Sequence, residues 1–297
     1  MDRRAALQQM TVAGVLWGTI GPAVSYLDEH TALDAVQISF WRIVIAFVAL
    51  GGWWAARGRR RVARRLVLRG LGIGVVTAGY QLAYFAAVAS AGVAVPTFVA
   101  LGLGPILVAV GETLLFGRRP DRRTLAVLLV AIAGLALLVL DGPAEATTAG
   151  VVLALLSAIG AAIAVLSAGA VAQRIDATTL NTLAVAGGLA VLVPVAAATG
   201  GPGSTGDALG VVLLVHLGLV VSVLAYGLYF AATKVLPSTH VVILTLLEPL
   251  TAAALAVALL GQSLTVGAVV GGALLLGAVV ALRGAAPPDP VLAGPVR

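Results

Sequence analysis

The 297-residue chain contains no cysteine. That excludes disulfides, thiolate metal sites and a cysteine nucleophile. Charge is scarce too, at 10% of residues, where a soluble domain carries about 25%. With 61% apolar residues and a mean hydropathy of +1.10, polar side chains are too few to coat a water-soluble fold. The three histidines, His30, His216 and His240, are far apart and at different depths, and the acidic residues are scattered. No HExxH, Gly-x-Gly-Asp or Walker motif occurs. An intramembrane enzyme and an ATP-driven pump both lack their machinery, so no catalytic residue, metal ligand or cofactor is expected.

What the chain does have is ten apolar stretches, at about 8–27, 34–56, 67–90, 93–116, 123–140, 148–172, 178–198, 208–232, 238–260 and 265–282. A membrane-spanning helix needs about 20 such residues. We number these spans 1 to 10. The connections alternate in charge. One set holds Arg3, Arg4, the cluster from Arg57 to Arg69, Arg118, Arg119, Arg122, Arg123, Arg174, Lys234, Arg283 and Arg297. The other set holds no basic residue and carries Asp28, Glu29, Asp34, Asp141, Glu145 and Asp207. Of the eighteen Lys and Arg residues, Arg42 alone falls outside this scheme. Basic loops stay cytoplasmic, so both termini are expected inside. A miscounted span would scatter the basic loops over both sides.

These short basic clusters also explain the net charge of +6 without nucleic acid, since no RNA- or DNA-binding motif accompanies them. They suit topology and contact with anionic head groups of the bilayer. The first apolar stretch is longer than a signal-peptide core and reads as a retained span. Short loops and no transit peptide make a bacterial inner membrane the simplest location. The tail from Ala285, with prolines at 287, 288, 290 and 295, is expected to be disordered.

The chain repeats itself. Tyr84-Phe85-Ala86-Ala87 in span 3 recurs as Tyr229-Phe230-Ala231-Ala232 in span 8. Each copy is followed by a proline inside an apolar run, Pro105 and Pro249, and then by a glycine, Gly117 and Gly261. Asp34-Ala35 before span 2 matches Asp176-Ala177 before span 7. The copies are residues 1–143 and 144–284, followed by the tail 285–297. Five spans per copy is an odd number, so the second enters the membrane inverted. Many secondary transporters use that arrangement to reach two mirror-related states. The expected fold is an all-α integral membrane protein of ten transmembrane helices in two inverted five-helix repeats.

Trp17-Gly18, Phe40-Trp41-Arg42, Tyr84-Phe85-Ala86, Glu248-Pro249 and Gly261, in this order, resemble the EamA branch of the drug/metabolite transporter superfamily, up to about Arg283. The resemblance implies ten helices around a central cavity. Spans 3, 4, 8 and 9 build most of it, 1, 2, 6 and 7 contribute, and 5 and 10 form a peripheral pair. It also implies export of amino acids, related metabolites or toxic compounds. Family members often carry an acidic residue after the glycines ending spans 4 and 9. Here those positions read Gly117-Arg118 and Gly261-Gln262.

A charge inside a bilayer costs at least about 2.5–3.5 kcal/mol at a helix centre, so each one counts. Arg42, about eight residues into span 2, either binds an anionic group or is structural, snorkelling outward or pairing with Asp28, Glu29 or Asp34. Glu248 lies near the midplane of span 9. Pro249 beside it frees a carbonyl near Thr245. Carboxyl, carbonyl and bend together suit a cation or proton site; a glutamate that only positions the helix is the alternative. Arg42 and Glu248 could also pair with each other. Glu112, near the basic end of span 4, suits a salt bridge with Arg118 or Arg119, or a gating role. His216 either titrates near neutral pH or, as is commoner for a lone histidine on an apolar helix, is simply hydrogen-bonded. Asn181 and Thr182 add polar groups to the cavity reading, with helix–helix hydrogen bonding as the alternative. Trp53 and Trp54 read as interface anchors.

With so few aromatics, Trp17, Tyr80, Tyr84, Tyr226 and Tyr229 stand out, with Gln81 beside Tyr80. Buried tyrosines need hydroxyl partners, so paired sets on spans 3 and 8 suit the wall of a polar, aromatic cavity. Gly102, Gly104 and Pro105 are expected to weaken span 4 opposite Glu248-Pro249, and Gly104, Pro105 and Pro249 are candidate hinges.

The expected substrate-binding set is therefore Trp17, Arg42, Tyr80, Gln81, Tyr84, Tyr226, Tyr229 and Glu248. The expected partners are a small-molecule solute, the lipid bilayer and, as coupling ion, the proton, with simple facilitated diffusion still open. The chain would act as a monomer or homodimer. A channel or a non-transporting scaffold is the alternative, although a channel usually shows a ring of polar groups contributed by several subunits.

Overall fold

The computed structural model describes residues 1–56, 62–140, 147–261, 263 and 265–283. The expected tail from Ala285 lies outside the described residues, as do Arg57, Arg59, Arg60, Arg61, Asp141, Glu145 and Gln262. Every regular element among the described residues is helical. Span 1 comprises α1 (Arg3–Gly18) and α2 (Ile20–His30), joined at a kink on Thr19. Spans 2 to 7 are single helices: α3 (Ala35–Ala56), α4 (Arg64–Ala91), α5 (Ala94–Phe116), α6 (Arg122–Val139), α7 (Thr148–Ala172) and α8 (Ala177–Ala198). Span 8 runs from α9 (Ala208–His216) through a π-helical segment, π1 (Leu217–Ala225), into α10 (Tyr226–Ala232). Span 9 is broken into α11 (Ser238–Thr245) and α12 (Leu247–Leu260), and span 10 is α13 (Val266–Arg283). Nine of these spans are long and apolar enough to cross a bilayer, and Val266–Leu282 is a shorter helix of the same character.

The ends of these helices follow from local chemistry. Asp2, Asp121, Thr147, Asp176 and Asp207 stand just before α1, α6, α7, α8 and α9, and each accepts hydrogen bonds from the first-turn N–H groups. Gly117 and Gly261, the matched glycines of the two repeats, end α5 and α12 with φ of +67° and +65°. That left-handed geometry favours glycine and stops both helices at equivalent points.

α4 packs along α7 and α8, and α5 packs along α7, while α6 and α13 form a pair of their own. A β-carbon on Gly271 would stand 2.5 Å from the Gly134 carbonyl oxygen, so this pair crosses backbone on backbone. The start of α1, the start of α6 and the end of α13 meet on one side. There Arg3 donates to the Leu282 carbonyl (3.3 Å) and Arg123 to the Ala281 carbonyl (3.0 Å). We refer to this as the basic face. On the opposite, acidic face, Gln37 donates to the Gly201 carbonyl (3.1 Å) and Trp41 to the Pro202 carbonyl (2.7 Å). These bonds strap the connection before α9 over α3.

Candidate functional site

The site begins at the break in span 9. Pro249 has no N–H to return to Thr245, and the chain answers with a tight turn at Leu246, whose N–H reaches Ile243 (3.2 Å). α1 lies against both sides of this break. A β-carbon on Gly14 would meet the Leu244 carbonyl oxygen at 2.8 Å, and one on Gly18 would meet the Glu248 carbonyl oxygen at the same distance. Glycine at both positions lets α1 press its backbone onto the two half-helices. This gives the Trp17-Gly18 motif a physical role: the glycine sets the approach and the indole beside it enters the site.

Arg42 comes from α3 and is 6% exposed. It does not snorkel, and it pairs with none of Asp28, Glu29 and Asp34. Its Nη2 donates to Gln81 Oε1 (2.7 Å), and Gln81 Nε2 donates on to the Tyr226 hydroxyl (3.4 Å). Among the described residues its Nε has no hydrogen-bond partner. The long outward reach that favoured snorkelling is overridden by the glutamine of α4, which offers an acceptor inside the bundle.

Tyr226 is placed by the π segment. Beside this wide turn the side-chain amide of Asn181 donates to two of its backbone carbonyls, Ser222 and Val223 (both 3.1 Å), the second of which also accepts the Tyr226 N–H. Asn181 is 1% exposed, and its bonds to span 8 are the helix–helix bonding that stood as the alternative to a place on the cavity wall. His216 shares a 2.8 Å hydrogen bond with Thr19 at the kink of span 1.

These elements enclose a cavity of about 250 Å³. All eight residues of the substrate-binding set line it, with Gly104. Trp17 lies 5.1 Å edge-on from Tyr226 and 5.6 Å from Tyr229, and Tyr229 lies 4.9 Å from Phe230, measured between ring centroids. The Tyr84 hydroxyl shares a 2.6 Å hydrogen bond with Thr97, tying α4 to α5. Glu248 is half-buried on the wall, and among the described residues its carboxyl group makes no hydrogen bond. Arg42 and Glu248 therefore face one space without forming an ion pair. A void of about 30 Å³ flanks Arg42 on its other side, bordered by Gly74, Asn181 and Ser222.

Several placements differ from the sequence reading. α5 stays one continuous helix through Gly102, Gly104 and Pro105, packed along α7, whereas span 9 is interrupted at Leu246. Neither Pro105, which is buried, nor Pro249 lines the cavity. Glu112 is not paired with Arg118 or Arg119. It turns inward to the start of α11, where bare backbone amides hold it more closely than exposed arginines could. The resemblance brought span 6, which is α7, to the cavity, but sequence reasoning named none of its lining residues, Ser157, Ala161 and Ala164 among them. Their signal was small residues at helical spacing, hard to see in a chain so rich in alanine.

A curated relative from Archaeoglobus fulgidus, described as an uncharacterized transporter, is 26% identical over 271 residues, covering 91% of this chain and 93% of its own. A solved crystal structure superposes with a TM-score of 0.81 at 20% identity, over 95% of this chain and 99% of that one, so the fold is shared. The sequence profile of the EamA-like transporter family matches residues 5–140 and again residues 148–283. Two matches laid end to end over nearly the whole length leave one conclusion: the chain belongs to the EamA-like transporter family.

Proposed function

We propose that the chain carries a small zwitterionic metabolite, amino-acid-like, out of the cell by alternating access. One observation carries this reading. Arg42 from the first half and Glu248 from the second face the same cavity, with opposite charges, and neither is satisfied by the other. A solute with a carboxylate and an ammonium group would pair with both at once. Desolvating a charge is favourable only where a partner is waiting. The rest of the wall is aromatic and apolar, which suits a side chain. The volume, about 250 Å³, falls just below the range of about 300 to 1,000 Å³ usual for small-molecule sites, and so favours a metabolite over a bulky drug.

The basic face is cytoplasmic in this reading, because basic loops are retained on that side, and the membrane is the bacterial inner membrane. The two inverted repeats, 1–143 and 144–284, rock against each other around the site, with the Leu246 break and the glycine and prolines at 104, 105 and 249 as hinge points. Glu248, open to the cavity, carries the coupling proton. The unit is a monomer or a homodimer.

The test is exchange in proteoliposomes loaded with a mixed amino-acid pool. Saturable, countertransport-stimulated flux of a zwitterionic solute, lost in Arg42→Ala and Glu248→Ala, is expected. A folded protein that exchanges no member of the pool would overturn the reading.

A further inference from the structure

Glu112 is 3% exposed, one turn from the basic end of α5. Its carboxylate accepts the backbone N–H of Ser238 (2.7 Å) and of Thr239 (2.9 Å), and the Thr239 hydroxyl (2.5 Å). These are first-turn donors of α11. The residue before them is Pro237, which offers no side-chain cap of its own. The cap of span 9 is therefore supplied across the bundle by span 4. A carboxylate at a helix N-terminus also meets the positive end of the helix dipole. All three bonds are sheltered from water, where bonds to a charged group are strong.

The repeat gives this contact a mirror image. Pro105 and Pro249 are 144 residues apart, as are Gly117 and Gly261. The same offset sets Ala256 opposite Glu112, and Ala94 and Val95 opposite Ser238 and Thr239. α5 also begins without a side-chain cap, after Val93, but the alanine facing the equivalent role has no acceptor to give. The fold reflects the difference. α5 packs on α11, the half of span 9 nearer the basic face, whereas α12 leans on α1 and α2.

We propose that Glu112 is a one-sided latch: it holds spans 4 and 9 together at the basic face, so that the carrier rests with its cavity open to the acidic face. This rests on the alternating-access reading. In a carrier whose halves were identical, the two mirror states would be equally stable. Here one gate is fastened by a buried carboxylate and its counterpart is a methyl group. The asymmetry sets which way the empty carrier faces. Opening the basic face exposes two amides and strands a carboxylate. Losing even one charge-assisted bond of about 1.5–3 kcal/mol shifts a two-state ratio by roughly tenfold or more.

The absence of cysteine allows a direct measurement. Leu101→Cys places a thiol in the half of the cavity toward the acidic face, and Val165→Cys places one toward the basic face. A charged, membrane-impermeant thiol reagent is added to one side or the other of oriented vesicles holding the full chain. In the parent background, Leu101→Cys should react from the acidic side, while Val165→Cys is shielded from the basic side. Adding Glu112→Ala should raise the reaction of Val165→Cys from the basic side about tenfold and slow that of Leu101→Cys. Thr239→Val, which removes one of the three bonds, should shift both in the same direction by less, and serves if Glu112→Ala does not fold. Ala256→Glu, building the missing mirror latch, should slow Leu101→Cys. Folded Glu112 and Thr239 variants with the parent's side preference would overturn the latch while leaving the carrier intact. If neither thiol reacts from either side in any background, the alternating-access reading fails with it.

Discussion

Gly18 lies directly beneath Glu248: a β-carbon on the glycine would stand 2.8 Å from the glutamate's carbonyl oxygen and 2.4 Å from the Thr251 β-carbon. The carboxyl group proposed to meet the solute is thus mounted on a turn whose position depends on the absence of one methyl group in another helix.

Gly18→Ala should therefore displace α12 and cost about 1–3 kcal/mol, the range for forcing an extra methyl group into a filled contact. Gly21→Ala, three residues further on, meets only the Ala252 β-carbon at 3.7 Å, an ordinary contact, and should be tolerated. Thermal unfolding in detergent separates the two. Equal melting temperatures would show that α1 yields freely.

Arg42→Ala should weaken binding of a carboxylate-bearing solute by roughly 10- to 100-fold, the loss of one charged hydrogen-bonded contact. The same solute with its carboxylate amidated should bind the parent and the variant alike. Arg42→Lys keeps the charge but loses the planar fork that reaches Gln81, and should recover only part of the loss. Calorimetric titration of both ligands checks this; an equal loss for the amidated ligand would assign Arg42 to structure.

Glu248→Gln keeps the shape of the wall and removes its proton. If Glu248 carries the coupling ion, solute exchange should continue while the dependence of net flux on an imposed pH gradient disappears. A variant still driven by the gradient would move the proton site elsewhere.

Asp176 caps α8 on the basic face. Burial raises the pKa of its carboxyl group, but hydrogen bonds from the Thr179 N–H (2.9 Å) and hydroxyl (2.7 Å) outweigh that and hold it below the usual aspartate value. A folded-state pKa below the unfolded one means the stabilisation is complete above the unfolded value, about 3.9. It is lost as pH falls through the lower folded value. Asp176→Ala should cost about 1 kcal/mol near neutral pH and less in acid, whereas Asp176→Asn, still a capping residue, should cost less. Melting curves at both pH values would show it; a constant difference would remove the carboxylate from the account.

The transmembrane course was legible because it follows from solvation alone. Apolar runs of fixed length and basic loops on alternate connections are properties of composition, and the structure places helices where they predict. The wall of the cavity was legible for a related reason. In a chain this poor in charge and aromatic rings, Arg42, Glu248 and the tyrosines stand out against alanine and valine. What escaped depends on three-dimensional partners. Glu112 reads as a neighbour of arginines, because Ser238 and Thr239, which hold it, are more than a hundred residues away. Pro105 and Pro249 look equivalent, yet α5 is continuous through its proline while span 9 is interrupted at Leu246, a difference that rests on packing partners remote in sequence. The π segment was not legible either, because Asn181, whose amide bonds the Ser222 and Val223 carbonyls of this wide turn, lies some forty residues away in another helix.

That wide turn has a geometric consequence. In an α-helix each residue advances about 100° around the axis. A π turn holds one residue more per loop of the ladder, so the helix before it and the helix after it are out of phase by that angle. Were the extra residue to pass from one side of Tyr226 to the other, its ring would swing by about 100° while the ends of span 8 stayed still. Such a shift would carry the phenol away from both Gln81, which bonds it, and Trp17, which packs edge-on against it.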